Sequence, residues 1–120
     1  MKIEKYSERL RKFAEERDWD QFHSPKNISI ALSVEASELL EHFQWLTEKQ
    51  SSNLEQAVLS EVAKEIADVQ IYLIRLADIL GVDIEVAVNA KLDENERKYP
   101  SDKVRGSAKK YTSYLKSDDS

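Results

Sequence analysis

The chain has 120 residues, 41% of them hydrophobic and 34% charged, which suits one domain with one core. A net charge of −5 argues against nonspecific nucleic-acid binding, and the lack of cysteine excludes a disulfide framework, a thiol nucleophile and a thiolate metal site. With only two glycines and two prolines, the composition is poor for a tightly turned sheet and good for long helices, so an all-α fold is expected.

Residues 2–17 read as the first helix, with Ile3, Tyr6, Leu10, Phe13 and Ala14 on one apolar face and Lys, Arg and Glu on the solvated one. Residues 18–27 form a break, because Pro25 disfavours helix at Ser24. This polar connector carries Trp19, Phe22 and His23. Its aromatics either cap the core or, with His23, line a pocket for a flat ligand. A second helix is predicted over residues 27–46, with Asn27 as its N-cap. Near its end, Trp45 and His42 each fit either the core edge or a site. After a polar linker at 47–53, the longest helix runs over 54–80 and stops at Gly81 as a C′ residue. It is apolar on a second side as well, through Ala63, Ala67, Ile71 and Ile74, which points to a subunit interface. A fourth helix over 83–99 sets Lys91, Asn95 and Lys98 in a polar ridge. That ridge is either a solvated face or a phosphate-holding one. Residues 1–100 are expected to form one helical domain and 101–120 a polar arm or tail. No apolar run has signal or membrane-spanning character, so a cytoplasmic protein without a membrane partner is expected.

The second and third helices carry the chemistry. At about 100° per residue, Ile28, Leu32, Leu39, Phe43 and Leu46 fall in one arc, with Glu35 in its middle and Glu38 roughly 60° to one side. In the third helix Val58, Val62, Val69, Leu73, Leu76 and Leu80 form the arc. Glu65 lies in its middle and Asp68 is offset to the same side. Ionised carboxylates on core-facing stripes are costly unless paired or bound to metal. Four at matching positions, with no Lys or Arg on either stripe near them, point to one hard divalent cation with oxygen ligands, Mg²⁺ or Mn²⁺. Salt-bridged edge carboxylates are the plainer alternative, and Glu61 is a candidate outer member of the cluster. A di-iron bundle would need Glu-x-x-His on two helices, whereas Glu38 and His42 are four apart and the second motif ends in Asp68. The zincin HExxH and Walker glycine loops are absent. A divalent metal, a cationic ridge and flat aromatics together suit a nucleoside phosphate.

Glu35-x-x-Glu38 followed by Glu65-x-x-Asp68 resembles the ExxE…ExxD signature of the MazG-like, all-α nucleoside triphosphate pyrophosphohydrolases. Flanking blocks are similar to the dCTP pyrophosphatase branch of that family. These are Glu16-Arg17-Asp18-Trp19-Asp20-Gln21-Phe22-His23, Phe43-Gln44-Trp45, Asp68-Val69-Gln70-Ile71-Tyr72-Leu73, Lys91 through Asn95 to Lys98-Tyr99-Pro100, and a weaker Lys110-Tyr111-Thr112. The resemblance covers roughly residues 10–112 and implies a four-helix MazG-like bundle completed by oligomerisation, as a tetramer built from two dimers. It implies that Glu35, Glu38, Glu65 and Asp68 hold Mg²⁺, with Glu35 or Glu38 as base or orienting group. Trp19, His23 and Trp45 would surround the base, Tyr72 would contact the nucleotide, and Lys91, Asn95, Lys98 and Tyr99 would reach phosphate or sugar. The implied reaction converts a nucleoside triphosphate, dCTP or a modified dCTP, to monophosphate and pyrophosphate as nucleotide-pool cleaning. Another deoxynucleotide such as dATP or dUTP, or a noncatalytic nucleotide-binding module, are the alternatives. Animal members of the branch have His where this chain has Leu10, which bears on base selectivity.

Overall fold

The computed structural model describes residues 1–107, and every described element is helical. The four predicted long helices are present: α1 (Ile3–Glu16), α2 (Pro25–Glu41), α4 (Gln56–Leu80) and α5 (Ile84–Lys98). Two short helices, α3 (Glu48–Ser51) and α6 (Ser101–Val104), and one 3₁₀ turn (Asp20–Phe22) complete the described chain. None of these helices is long and apolar enough to cross a membrane. The chain divides into two compact units, Met1–Val82 and a second beginning at Asp83. Of the predicted arm at 101–120, the part from 108 onward, with Lys110-Tyr111-Thr112, lies outside the described residues.

Local chemistry sets the ends of these helices. α1 stops in a Schellman arrangement, with Trp19 N–H donating to the Ala14 carbonyl at 2.8 Å and Asp18 N–H to that of Glu15 at 3.1 Å. Asp18 occupies the left-handed position (φ 53°), which Asp tolerates better than most residues. Gln21 Nε2 locks that turn by donating to the Asp18 carbonyl and to its Oδ2, both at 3.0 Å. Gly81 ends α4 in the same way at φ 70°, as its sequence position predicts.

The start of α2 departs from the expectation. Ser24, not Asn27, is the N-cap: its extended backbone lets Oγ accept from Asn27 N–H at 3.1 Å, and Pro25 takes the first helical position, where no N–H is needed. Asn27 instead sends its side-chain amide back to the Phe22 carbonyl at 3.0 Å, tying the helix to the connector. The other end of α2 also differs, because the chain leaves the helix after Glu41 and turns through Phe43–Leu46. The predicted linker at 47–53 contains α3, started by a capping box in which Thr47 and Gln50 satisfy each other's backbone N–H.

Within the first unit, α1 and α2 both pack on α4. The buried residues are few: Ala14, Ile28, Val62 and Ile74, with Ser7 and Arg75 among the polar ones. Ser7 and Ala14 lie two turns apart on α1, so small side chains occupy its buried line. Tyr6, Leu10 and Phe13 form one wall of a groove of about 560 Å³, with Ala67, Gln70, Ile71 and Ile74 on the opposite side. Large apolar side chains remain exposed on α2 (Ile30, Val34, Leu40) and on α4 (Leu59, Ile66, Ile71).

Candidate active site

Because α2 lies on α4, the two carboxylate pairs come together. Residues spaced i, i+3 share a helix face, so each helix offers two carboxylates to the other. Glu35 and Glu38 from α2 and Glu65 from α4 have ligand oxygens all within 4.8 Å of one another, and all three are half-buried. Asp68 lies outside that closest group but is near enough for its charge to act on Glu35. Within the Met1–Val82 unit no ion pair reaches any of the four. Among the described residues, Glu35 Oε2 and Glu65 Oε2 are buried without a hydrogen-bond partner. Burial pushes the Glu35 carboxyl up to about 7, and Glu38, Asp68 and Glu65 push the same way. The salt-bridged alternative therefore does not describe these residues, and Glu61, a proposed outer member, pairs with Lys64 at 3.2 Å instead.

A hard divalent cation fits this donor set. Bonds of about 2.1 Å to Mg²⁺ put opposite ligand oxygens about 4.2 Å apart, and the longer bonds to Ca²⁺ about 4.6–5.2 Å apart. Three oxygens within 4.8 Å thus need little contraction, and a cation would satisfy the two orphaned oxygens. All-oxygen ligation suits hard cations better than the softer metals that thiolate and imidazole select.

Trp19 and His23 of the connector form a second cluster in the same unit, with Phe13 of α1. The Trp19 ring meets Phe13 edge-on, with centroids 5.5 Å apart, and His23 at 6.2 Å in a tilted arrangement. Arg17 lies over the other aromatic partner, 3.7 Å from the Phe13 centroid. Both Trp19 and His23 keep exposed surface, as a ligand platform requires. Arg75 Nε donates to His23 Nδ1 at 3.2 Å. Burial first, then the Arg75 charge, hold the imidazole below its usual value against an opposing pull from Asp20.

Trp45 sits in the turn after α2, 88% exposed, so it is not a core residue of this chain. His42 and Tyr72 are half-buried, Tyr72 one turn beyond Asp68 on α4. Lys91, Asn95, Lys98 and Tyr99 belong to the second unit. There Glu94, which the spacing argument passed over, lies between the two lysines and pairs with Lys98 at 2.6 Å and Lys91 at 3.6 Å. These cations, Lys98 first, hold the Glu94 carboxyl below the usual range. Arg75 is the other residue that sequence reasoning missed. Its signal was a single cation inside the apolar run Ile71-Tyr72-Leu73-Ile74-Arg75-Leu76.

The model of the MazG-like family matches residues 30–113. Human dCTP pyrophosphatase 1 is 47% identical over 105 residues, covering 83% of this chain, and its mouse counterpart is 46% identical over the same length. The chain spans about 60% of the length of these curated relatives. A crystal structure of a pyrophosphatase from Archaeoglobus fulgidus superposes with a TM-score of 0.78 at 40% identity, covering 83% of this chain and 94% of that one.

Proposed function

We propose that this chain, which belongs to the MazG-like family, is a nucleoside triphosphate pyrophosphohydrolase that uses water to split its substrate into the monophosphate and pyrophosphate. The observation that carries this reading is the convergence of Glu35, Glu38 and Glu65 from two helices, with buried oxygens that no donor satisfies. Together with Asp68 they would hold Mg²⁺, with Mn²⁺ as an alternative. When bound, such an ion supplies positive charge to phosphate oxygens and eases the ionisation of water. Glu35 or Glu38 would serve as base or orienting group for the attacking water.

The nucleotide reading assigns Trp19, His23 and Trp45 to the base and Tyr72 to the nucleoside. Lys91, Asn95, Lys98 and Tyr99 are assigned to phosphate or sugar. Phosphate oxygens would compete with Glu94 for the two lysines. The names of the relatives support dCTP as substrate; a modified dCTP, and nucleotide-pool cleaning in the cytoplasm as the role, are the further parts of this reading. Leu10 stands in the groove wall where animal members of the branch carry His, which favours keeping dATP and dUTP in the test. The exposed apolar residues of α2 and α4 support a homo-oligomer in which further copies cover them, and a tetramer of paired dimers is the assembly we assign.

The test is pyrophosphate release from each of the eight common nucleoside triphosphates, with Mg²⁺ and with EDTA. Release peaking at dCTP, dependent on Mg²⁺ and lost in Glu38→Ala and Asp68→Ala, is expected. Full activity in either variant would rule the site out. Nucleotide binding without release from any substrate would favour a noncatalytic module.

A further inference from the structure

The connector that carries Trp19 and His23 is tied to α4 by one side chain. Arg75 Nη2 donates to Asp20 Oδ1 at 2.7 Å, and Nε donates to His23 Nδ1 at 3.2 Å. These two contacts grip both ends of the 3₁₀ turn at Asp20–Phe22. The other side-chain bonds of the connector, from Gln21 and Asn27, are local in sequence. Arg75 is itself held. Its side chain is 8% exposed, and Nη1 lies 3.6 Å from Asp78 Oδ2. Arg11 braces that carboxylate through Nε at 2.8 Å and Nη2 at 3.0 Å. A guanidinium so enclosed and so fully committed is a poor phosphate ligand, and its fixed fork is well suited to aiming other groups.

We propose that Arg75 is a positioning residue of the nucleotide site: by donating to His23 Nδ1 it sets the imidazole as the neutral Nε2–H tautomer and presents that N–H beside the Trp19 ring as a donor for an acceptor atom of the base. This rests on the reading of Trp19 and His23 as the base platform. A nitrogen that accepts from a guanidinium cannot carry a proton, so the ring's single proton lies on Nε2. The charged groups facing the ring are Arg75 from α4 and Asp20 from the connector itself, with Asp78 and Arg11 behind Arg75. Burial and then Arg75 oppose imidazolium, Asp20 favours it, and the first two prevail. The donor therefore keeps one form across neutral pH. Because Arg75 springs from the helix that also bears Glu65 and Asp68, it links the placement of the base platform to that of the carboxylates.

Long-range ¹⁵N–¹H correlation of the imidazoles tests this, with His42→Gln to assign His23. In the unaltered protein His23 is expected as the Nε2–H tautomer, titrating below 6.5. In Arg75→Met the tautomers mix and the midpoint rises. KM for the nucleotide rises about tenfold, the loss of one oriented hydrogen bond, while kcat changes less than about twofold. KM in that variant also becomes pH-dependent between pH 6 and 7.5, and Arg75→Lys restores part of the loss. An Nδ1–H tautomer in the unaltered protein would overturn the proposal without recourse to a variant that might not fold. Unchanged His23 shifts and KM in Arg75→Met would do so too. If the unaltered protein bound and turned over no nucleotide while its His23 kept the Nε2–H form, the functional reading would fail and the hold of Arg75 on His23 would stand.

Discussion

Replacing Glu65 by Gln should make the metal-free protein more stable while removing its response to divalent cations. Glu65 has two carboxylates, Glu35 and Glu38, with oxygens within 4.8 Å of its own. Two unit charges at that distance repel by about 3.5 kcal/mol at an effective dielectric constant of 20, and by about 0.9 kcal/mol in bulk water. Proton uptake at Glu35 relieves part of this repulsion. The Gln amide removes one charge and adds a donor beside the orphaned Glu35 Oε2. A gain of about 1–3 kcal/mol is expected, a rise in Tm of about 4–12 °C for a domain of this size. Thermal unfolding followed by circular dichroism at pH 7.5 measures it, once in EDTA and once in millimolar Mg²⁺. The unaltered protein should gain Tm on adding Mg²⁺, and Glu65→Gln should gain little. If Glu65→Gln were less stable than the unaltered protein in EDTA, the carboxylates would not be repelling one another. If Mg²⁺ raised both proteins equally, Glu65 would not be a ligand.

Two further predictions concern pH and capping. Glu35 holds its proton up to about 7 in the folded chain, against 4.5 for an ordinary glutamate, so between those values the folded state binds the proton that the unfolded state has released. The stability of the metal-free protein therefore falls as pH rises through that window. The Tm gained from Mg²⁺ grows from pH 6 to 8, because the cation needs the deprotonated site. Melting curves in EDTA whose midpoints climb between pH 6.5 and 7.5 would contradict this; the depressed Glu94 carboxyl titrates beneath that range, and the depressed His23 imidazole, which acts in the opposite sense, does so mainly below 6.5. Ser24→Ala removes the acceptor for Asn27 N–H at the start of α2 and should cost about 1 kcal/mol in urea unfolding, with an unchanged m-value. No loss of stability there would place the cap elsewhere.

The two carboxylate pairs, the four long helices and the stop at Gly81 were legible because each depends on residues three or four positions apart. Local spacing decides which face a side chain takes and whether a backbone can turn. The same local logic misplaced the start of α2 only slightly, choosing Asn27 over the Ser24-Pro25 pair. It missed α3 because a four-residue helix leaves no periodicity to read. What the tertiary structure decided was which residues from distant parts of the chain meet. The sequence presents Glu35 and Glu65 as polar intrusions on two apolar stripes, whereas the packing of α2 on α4 joins them into one charge cluster with orphaned oxygens. Arg75 reads in sequence as an interruption of a hydrophobic run, but folding brings it to His23 and Asp20, 52 and 55 residues earlier. A charge is tolerated in such a place only when its partners arrive with it, and no periodicity within a single helix specifies partners on another segment.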